Sequence, residues 1–287
     1  MSTRPLRQYY DGVAVTIPPE VSPGVETWRR HRRRFTAALA TLTDEQWKET
    51  TRCTAWDAKD VIGHLVAVDS FWVLTLSAAQ AKQAPATFLR HFDPSTGTDA
   101  LVDSTRGLSN REMLDRFVAG TDGFVELVAT FGADDWDSIG ESPLGHLPAG
   151  VLFAHAFWDS WLHERDIFEP LGLAPHAEQD EILAALCFSL LFGGMQGGLI
   201  ADPEPVGVGL DEPVDVTLSF DELPGVAVRV QVDTGVRVSL TEAGAAHACG
   251  SATDVVECYA GRLPLSTVDG KLPSDLAAQC VRATQVF

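Results

Sequence analysis

No run of about 18 apolar residues free of charge occurs in the 287-residue sequence, so no segment reads as a membrane-spanning helix. The amino-terminal MSTRPLRQYYDG lacks the apolar stretch of a secretory signal, and a cytoplasmic location is the expectation. Cysteine is sparse and unpatterned. Cys53, Cys187, Cys249, Cys258 and Cys280 are odd in number, widely spaced and without a CxxC pair, which argues against a disulfide framework and against a thiolate zinc site. Most of these thiols are expected to be buried or inert. Basic charge is also short: 21 Lys and Arg stand against 40 Asp and Glu, and a net charge of -19 would repel a nucleic-acid backbone. The one basic cluster, WRRHRRRF at residues 28–35, reads as the solvated face of an amphipathic helix, with anion binding as the alternative.

What is present is enough apolar residue, 45% of the chain, to bury a substantial core in one large or two smaller domains. Helical periodicity runs through residues 23–44, 57–83, 108–131 and 148–169, a four-helix pattern. Asp57 is placed to cap the second helix, with Asp60 three residues on in a variant of the capping box. The connection over residues 84–107, with its PSTGTD turn signal, is long enough to cross a bundle or to form a lid. An apolar helix, EILAALCFSLLF, follows the fourth and ends in GGMQGG. The pattern then changes to the alternation of short strands in VDVTLSF, GVAVRVQV and GVRVSLTEA, closed by the short helices SATDVVECYAGRL and PSDLAAQCVRA. The expected architecture is a helical bundle over residues 1–200 followed by a small α+β domain over residues 201–287.

Chemistry-bearing residues concentrate in HAFWDSWLHERDIF, residues 155–168. His155, Asp159 and His163 are spaced four and four and share one helix face. An imidazole and a carboxylate at that spacing on a rigid helix can both reach one divalent cation. His64, in the core-like DVIGHLVAVDSFW, is the candidate third ligand from a second helix of the bundle. Two imidazoles and a carboxylate with open positions suit zinc, with iron(II), nickel and manganese as alternatives. A lone histidine on an apolar helix is more often a hydrogen-bonded core residue; convergence of three groups is what favours a metal. His155 is expected either at the entrance or as a hydrogen-bond partner of Asp159. Asp166 either forms a salt bridge with Arg165 or with a neighbouring helix, or orients a metal-bound histidine. Phe71, Trp72, Trp158 and Trp161 are core aromatics that could also line a pocket.

The segments TRCTAWDAKDVIGHL and WDSWLHERDIFEPLG resemble the signatures of the DinB-like bundle proteins, in particular the mycothiol-dependent maleylpyruvate isomerase branch. GSATDVVECYAGRLPLSTVDG resembles the small sterol-carrier-like domain attached to those enzymes. The resemblance implies metal ligands at His64, Asp159 and His163, with Asp159 standing where the family has Glu. It places the family's Gly-Arg arginine on Arg262, to hold a carboxylate of substrate or thiol; a helix C-terminal charge is the plainer role for that residue. It further implies zinc, mycothiol as cosubstrate and an electrophilic small molecule, with the enzyme acting as an S-transferase or a thiol-assisted cis-trans isomerase. The length of the 84–107 connection favours a specialised electrophile over a small dicarboxylate. A metal-dependent hydrolase, and a non-catalytic binding or regulatory module with a vestigial site, are the competing readings.

Overall fold

Each periodic apolar stretch forms a helix in the computed structural model, which describes residues 10–11, 15–89, 94–173, 175–197, 213–232, 235–242 and 244–283. In chain order these are α1 (Val25–Leu39), α2 (Ala58–Gln80), a short α3 (Pro94–Asp103), α4 (Asn110–Val128) and α5 (Ala149–Phe168). The α2 start follows expectation in part. Asp57 accepts the Asp60 amide at 2.8 Å, but the Asp60 carboxylate turns away to Arg106 instead of completing the box. A complete capping box stands at α4, where Ser109 and Glu112 satisfy each other's backbone amides. The connection after α2 contains α3, so the Pro-Ser-Thr-Gly-Thr-Asp stretch opens a helix where a turn was expected. Of the described helices, α2 has the length and mean hydropathy to cross a bilayer, yet half of that stretch is buried in the fold and α2 also carries His64 and Asp69.

α2 packs against α4 and α5, and α1 closes the bundle against α4 and α5. A hairpin absent from the sequence reading, β3 (Ile139–Ser142) and β4 (Gly145–Pro148), precedes α5, and the two-residue strand β1 (Tyr10–Asp11) pairs parallel to β4. The later sheet has the order β2-β7-β6-β5-β8. Its centre is the antiparallel meander β5 (Val214–Ser219), β6 (Val226–Val232) and β7 (Val236–Glu242), as the alternating segments predict. Its edges are β8 (His247–Ala248) and, from the chain's beginning, β2 (Val15–Thr16).

Between bundle and sheet lies α6 (Gln179–Gly197), which packs on α5, on β6 and β7, and on the final helices α7 (Ala252–Tyr259) and α8 (Ser274–Ala283). Close approach there requires glycine. A Cβ at Gly193 would stand 2.1 Å from the Tyr259 ring, and one at Gly194 would stand 2.7 Å from Val236. The expected domain boundary at residues 200 and 201 lies outside the described residues.

The basic segment of α1 forms a solvated face only in part: Arg30 and Arg33 are exposed, while Arg32 and His31 are buried and Arg34 half-buried. Arg32 is buried and binds Asp69 of α2 through both nitrogens of its fork, at 3.1 and 2.7 Å, while its guanidinium lies over Trp28 and Phe117. Arg34 joins Glu164 of α5 and Glu181 of α6, Arg30 joins Asp180 and Glu181, and buried His31 contacts Ser160 at 2.8 Å. These cations face carboxylates of neighbouring helices, a pairing that periodicity within one helix does not reveal.

Candidate metal centre

At one end of the bundle, beside a small apolar cluster that includes Phe35, Ile62, Leu65, Phe117 and Phe168, α2 and α5 bring their polar faces together. His64, two turns into α2, points its Nε2 at Asp159 Oδ2, 3.4 Å away. His163, one turn beyond Asp159 on α5, points its Nε2 at the other oxygen, also at 3.4 Å. Ligand-capable atoms of the three lie within 4.8 Å of one another. A tetrahedral cation with ligands at about 2.0–2.1 Å keeps neighbouring ligand atoms about 3.3–3.4 Å apart. Each imidazole Nε2 lies at about that distance from its own oxygen of Asp159, so two imidazoles and a carboxylate converge closely enough to suit a divalent cation despite the shorter arm of aspartate.

The surroundings are dry and charged. His64 and His163 are buried, and Asp159 keeps about a fifth of its side chain exposed, with 21% accessible. The Trp56 ring covers His64 at 5.3 Å, and the two imidazoles meet edge to face at 5.0 Å. Burial would raise the Asp159 pKa, yet the charges of His163 and His64 and their hydrogen bonds hold it well below the usual carboxylate range. Burial opposes a charged His163, but Asp159 and the Cys53 sulfur, with hydrogen bonds to Asp159 and Asp166, raise its pKa well above 6.5. Without a cation, a proton shared between His163 and the carboxylates takes its place.

Behind His163 the arrangement continues. Its Nδ1 is 3.0 Å from Asp166 Oδ2. Despite its burial, Asp166 has a strongly depressed pKa, held down by the bonds from His163 and Arg262, so it only accepts and the proton must sit on Nδ1. This fixes the tautomer that leaves Nε2 free to act as a ligand. His64 has no such partner: its Nδ1 is buried without a hydrogen bond among the described residues.

Arg262 reaches this point from the loop after α7. Its Nε and Nη2 donate to the two oxygens of Asp166 at 2.9 Å each, Nη2 also faces Cys53 Sγ at 3.4 Å, and Nη1 donates to the Ala260 carbonyl at 3.1 Å. A guanidinium has five N–H donors, so one on Nη1 remains. Sequence reasoning brought Arg262 to the site but did not foresee Asp166 as the carboxylate it grips.

Two further residues were missed. Cys53, half-buried, lies 3.2 Å from Asp166 Oδ2 and 3.8 Å from His163 Nδ1, so it belongs to the site's surroundings and not to an inert core. Its neighbour Arg52 donates to Asp166 at 3.1 Å, to Glu169 at 2.6 Å and to Glu257 at 3.0 Å. Both stand in the TRCTAW turn, where the Trp56 amide closes on the Cys53 carbonyl at 2.7 Å, but nothing in that spacing announces partners more than a hundred residues away. His155 sits against Trp72 at 5.1 Å and stacks on Phe188 at 4.9 Å. Phe71 adjoins Trp72 on the same side. Trp158, bonded to Ser189, and Trp161, under Arg165, are buried structural rings.

Residues 28–168 match the family model described as the mycothiol maleylpyruvate isomerase N-terminal domain, a span that includes His64, Asp159, His163 and Asp166 but not Arg262. Two solved structures share the fold. The crystal structure of the mycothiol-dependent maleylpyruvate isomerase matches at 14% identity and a TM-score of 0.54, covering 87% of this chain and 94% of that one. A point mutant of that enzyme matches at 13% identity and 0.55 over the same shares. No curated protein sequence matches the chain. Over its helical part, just under half of the chain, the protein is thus similar to the mycothiol maleylpyruvate isomerase N-terminal domain.

Proposed function

From that similarity and the geometry of the centre, we propose that the protein is a divalent-metal enzyme, with zinc as the metal, that uses mycothiol to attack an electrophilic small molecule. The product is either a thioether or a cis-trans isomer released when the thiol leaves. The observation that carries this reading is the symmetric placement of two imidazole Nε2 atoms, each 3.4 Å from one oxygen of Asp159. His64, Asp159 and His163 would hold the cation. The chemistry such a cation would supply is to lower the pKa of an approaching thiol so that its thiolate is available at neutral pH.

The chain's own residues supply the rest. Asp159 contributes one negative charge against two neutral imidazoles, leaving a cationic centre that attracts a thiolate. Asp166 holds the Nδ1 proton of His163 and so keeps its Nε2 lone pair directed at the site. Trp56 shields His64 from water, and its indole nitrogen is anchored to Asp99 of α3 at 3.1 Å. Arg262 has one N–H left for an anionic oxygen of thiol or substrate; taking a carboxylate with its full fork requires it to release Asp166. Phe71, Trp72 and His155 offer an apolar, aromatic flank for the electrophile.

The test is a calorimetric titration with mycothiol of the zinc-loaded and the chelator-treated protein. Binding that requires zinc supports the reading. A zinc protein that ignores mycothiol but hydrolyses esters or amides points to water activation, and one that takes up less than about 0.1 equivalent of any transition metal is a binding module.

A further inference from the structure

The bundle's candidate centre and the C-terminal part of the chain meet at one buried carboxylate. Asp166 is fully buried and receives four groups: His163 Nδ1 at 3.0 Å, Arg262 at 2.9 Å from two nitrogens, Cys53 at 3.2 Å and Arg52 Nε at 3.1 Å. Arg52 is itself held from two sides. Its backbone amide donates to the Asp166 carbonyl at 3.1 Å, and its Nη1 and Nη2 donate to the two oxygens of Glu257 at 3.0 and 3.4 Å. Glu257 lies on α7, is only 3% exposed, and takes a second arginine, Arg165, at 2.5 Å. A continuous chain therefore runs from Glu257 through Arg52 and Asp166 to the Nδ1 of His163.

We infer that Arg52 is a positioning residue, which joins Glu257 of α7 to Asp166 and thereby makes the orientation of His163, and the cation affinity of the bundle, depend on the docking of the C-terminal part. The inference rests on the metal reading above. Three features argue for it over simple helix-to-helix adhesion. Arg52 reaches Asp166 and Glu257 with different edges of one rigid guanidinium, so displacement of α7 tilts the edge that meets Asp166. Asp166 has an imidazole, two arginines and a thiol around two oxygens, so loss of one donor shifts it toward the others. And His163 has no freedom to compensate, because its ring is packed edge to face against His64 at 5.0 Å. Arg262 grips the same carboxylate from the same module, so the C-terminal part holds Asp166 by two routes.

The experiment uses the full chain and zinc itself, with affinity read by competition against a chromophoric chelator, beside the melting temperature of the metal-free protein. Arg52→Met is expected to weaken zinc binding about 10- to 100-fold, the range for loss of a group that orients a metal-bound histidine. Arg52→Lys should restore part of that, since a point charge can serve one carboxylate but not both. Glu257→Gln keeps the volume and should weaken binding in the same direction by less, and should add little on top of Arg52→Met. Arg229→Gln, an exposed strand pair with Asp215, is the control that should leave zinc affinity unchanged. In chelator, at a pH high enough to leave the His163 ring neutral, nitrogen-15 spectra of histidine should show the protonated Nδ1 of His163 in the unaltered chain and a mixture of tautomers in Arg52→Met, a change that lost packing alone does not produce. Zinc bound by Arg52→Met and Glu257→Gln within about twofold of the unaltered protein, with the tautomer unchanged, overturns the inference and leaves the metal reading intact. An unaltered chain that binds no zinc overturns both.

Discussion

Helix α5 presents polar groups on two faces, and they differ in how they are satisfied. On the α1 side, Glu164 is buried and saturated: Arg34 reaches it at 2.6 and 3.0 Å, and His31 at 3.3 Å, while Ser160 is taken by His31. Toward α2, Asp159 is shared between two imidazoles at 3.4 Å, longer than ordinary hydrogen bonds, and the Nδ1 of one of those imidazoles has no hydrogen-bond partner among the described residues. Both faces carry carboxylates beside buried histidines. What separates a structural network from a candidate centre is saturation, since fixed cations complete the first and the second leaves donor atoms converging on a common point.

The largest effect that would sharpen this contrast is on metal content. His163→Ala is expected to bring zinc below about 0.1 equivalent by elemental analysis, whereas Glu164→Gln, one residue away on the other face, should keep it. Equal retention by both would remove the distinction between the faces. Next comes Arg32→Met, which leaves Asp69 buried without its partner. Chemical denaturation should show a loss of about 3–5 kcal/mol with zinc binding unaltered. A smaller effect is expected from Asp159→Glu, which lengthens the carboxylate arm by one methylene. Because aspartate already spans both imidazoles, zinc affinity should stay within about tenfold, and a larger gain would mean the shorter arm is strained.

The smallest effect is the pH dependence of the metal-free protein. The folded-state pKa of His163 is raised, so the stability it contributes is complete below the unfolded value near 6.5 and is lost as pH rises through the folded pKa. Asp159, Glu164 and Asp166 have depressed pKa values, so their contributions are present above the unfolded carboxylate range and fall away as pH drops through the folded values. Melting temperature in chelator should therefore decline on both sides of a maximum. The alkaline decline should shrink in His163→Gln, leaving the part that comes from the buried thiols of Cys187, Cys249, Cys258 and Cys280, whose pKa values burial raises, whereas the acid decline should persist.

Much of the helical architecture was legible from the spacing of apolar residues, because helix formation answers to neighbours three and four positions away. Asp159 and His163 were legible for the same reason: a one-turn spacing on a helix puts two side chains together wherever the helix goes. The later meander was readable from alternation in its three strands. The hairpin before α5 and the edge strand Val15–Thr16 were not, since strands of two to four residues carry little alternation and form by pairing with distant partners.

The basic segment marks the boundary most clearly. WRRHRRRF looked solvated because local sequence reports charge and not what faces it; Asp69, Glu164, Asp180 and Glu181 lie on three other stretches of chain. The same holds for Arg52, Cys53 and the partner of Arg262. By itself the sequence determined where the long helices form, which residues share a face, and that a histidine and a carboxylate stand one turn apart. Only the tertiary structure decided that Arg52 and Arg262 converge on Asp166, because hydrogen bonds between residues about a hundred positions apart depend on how helices dock, and docking is set by the whole core at once.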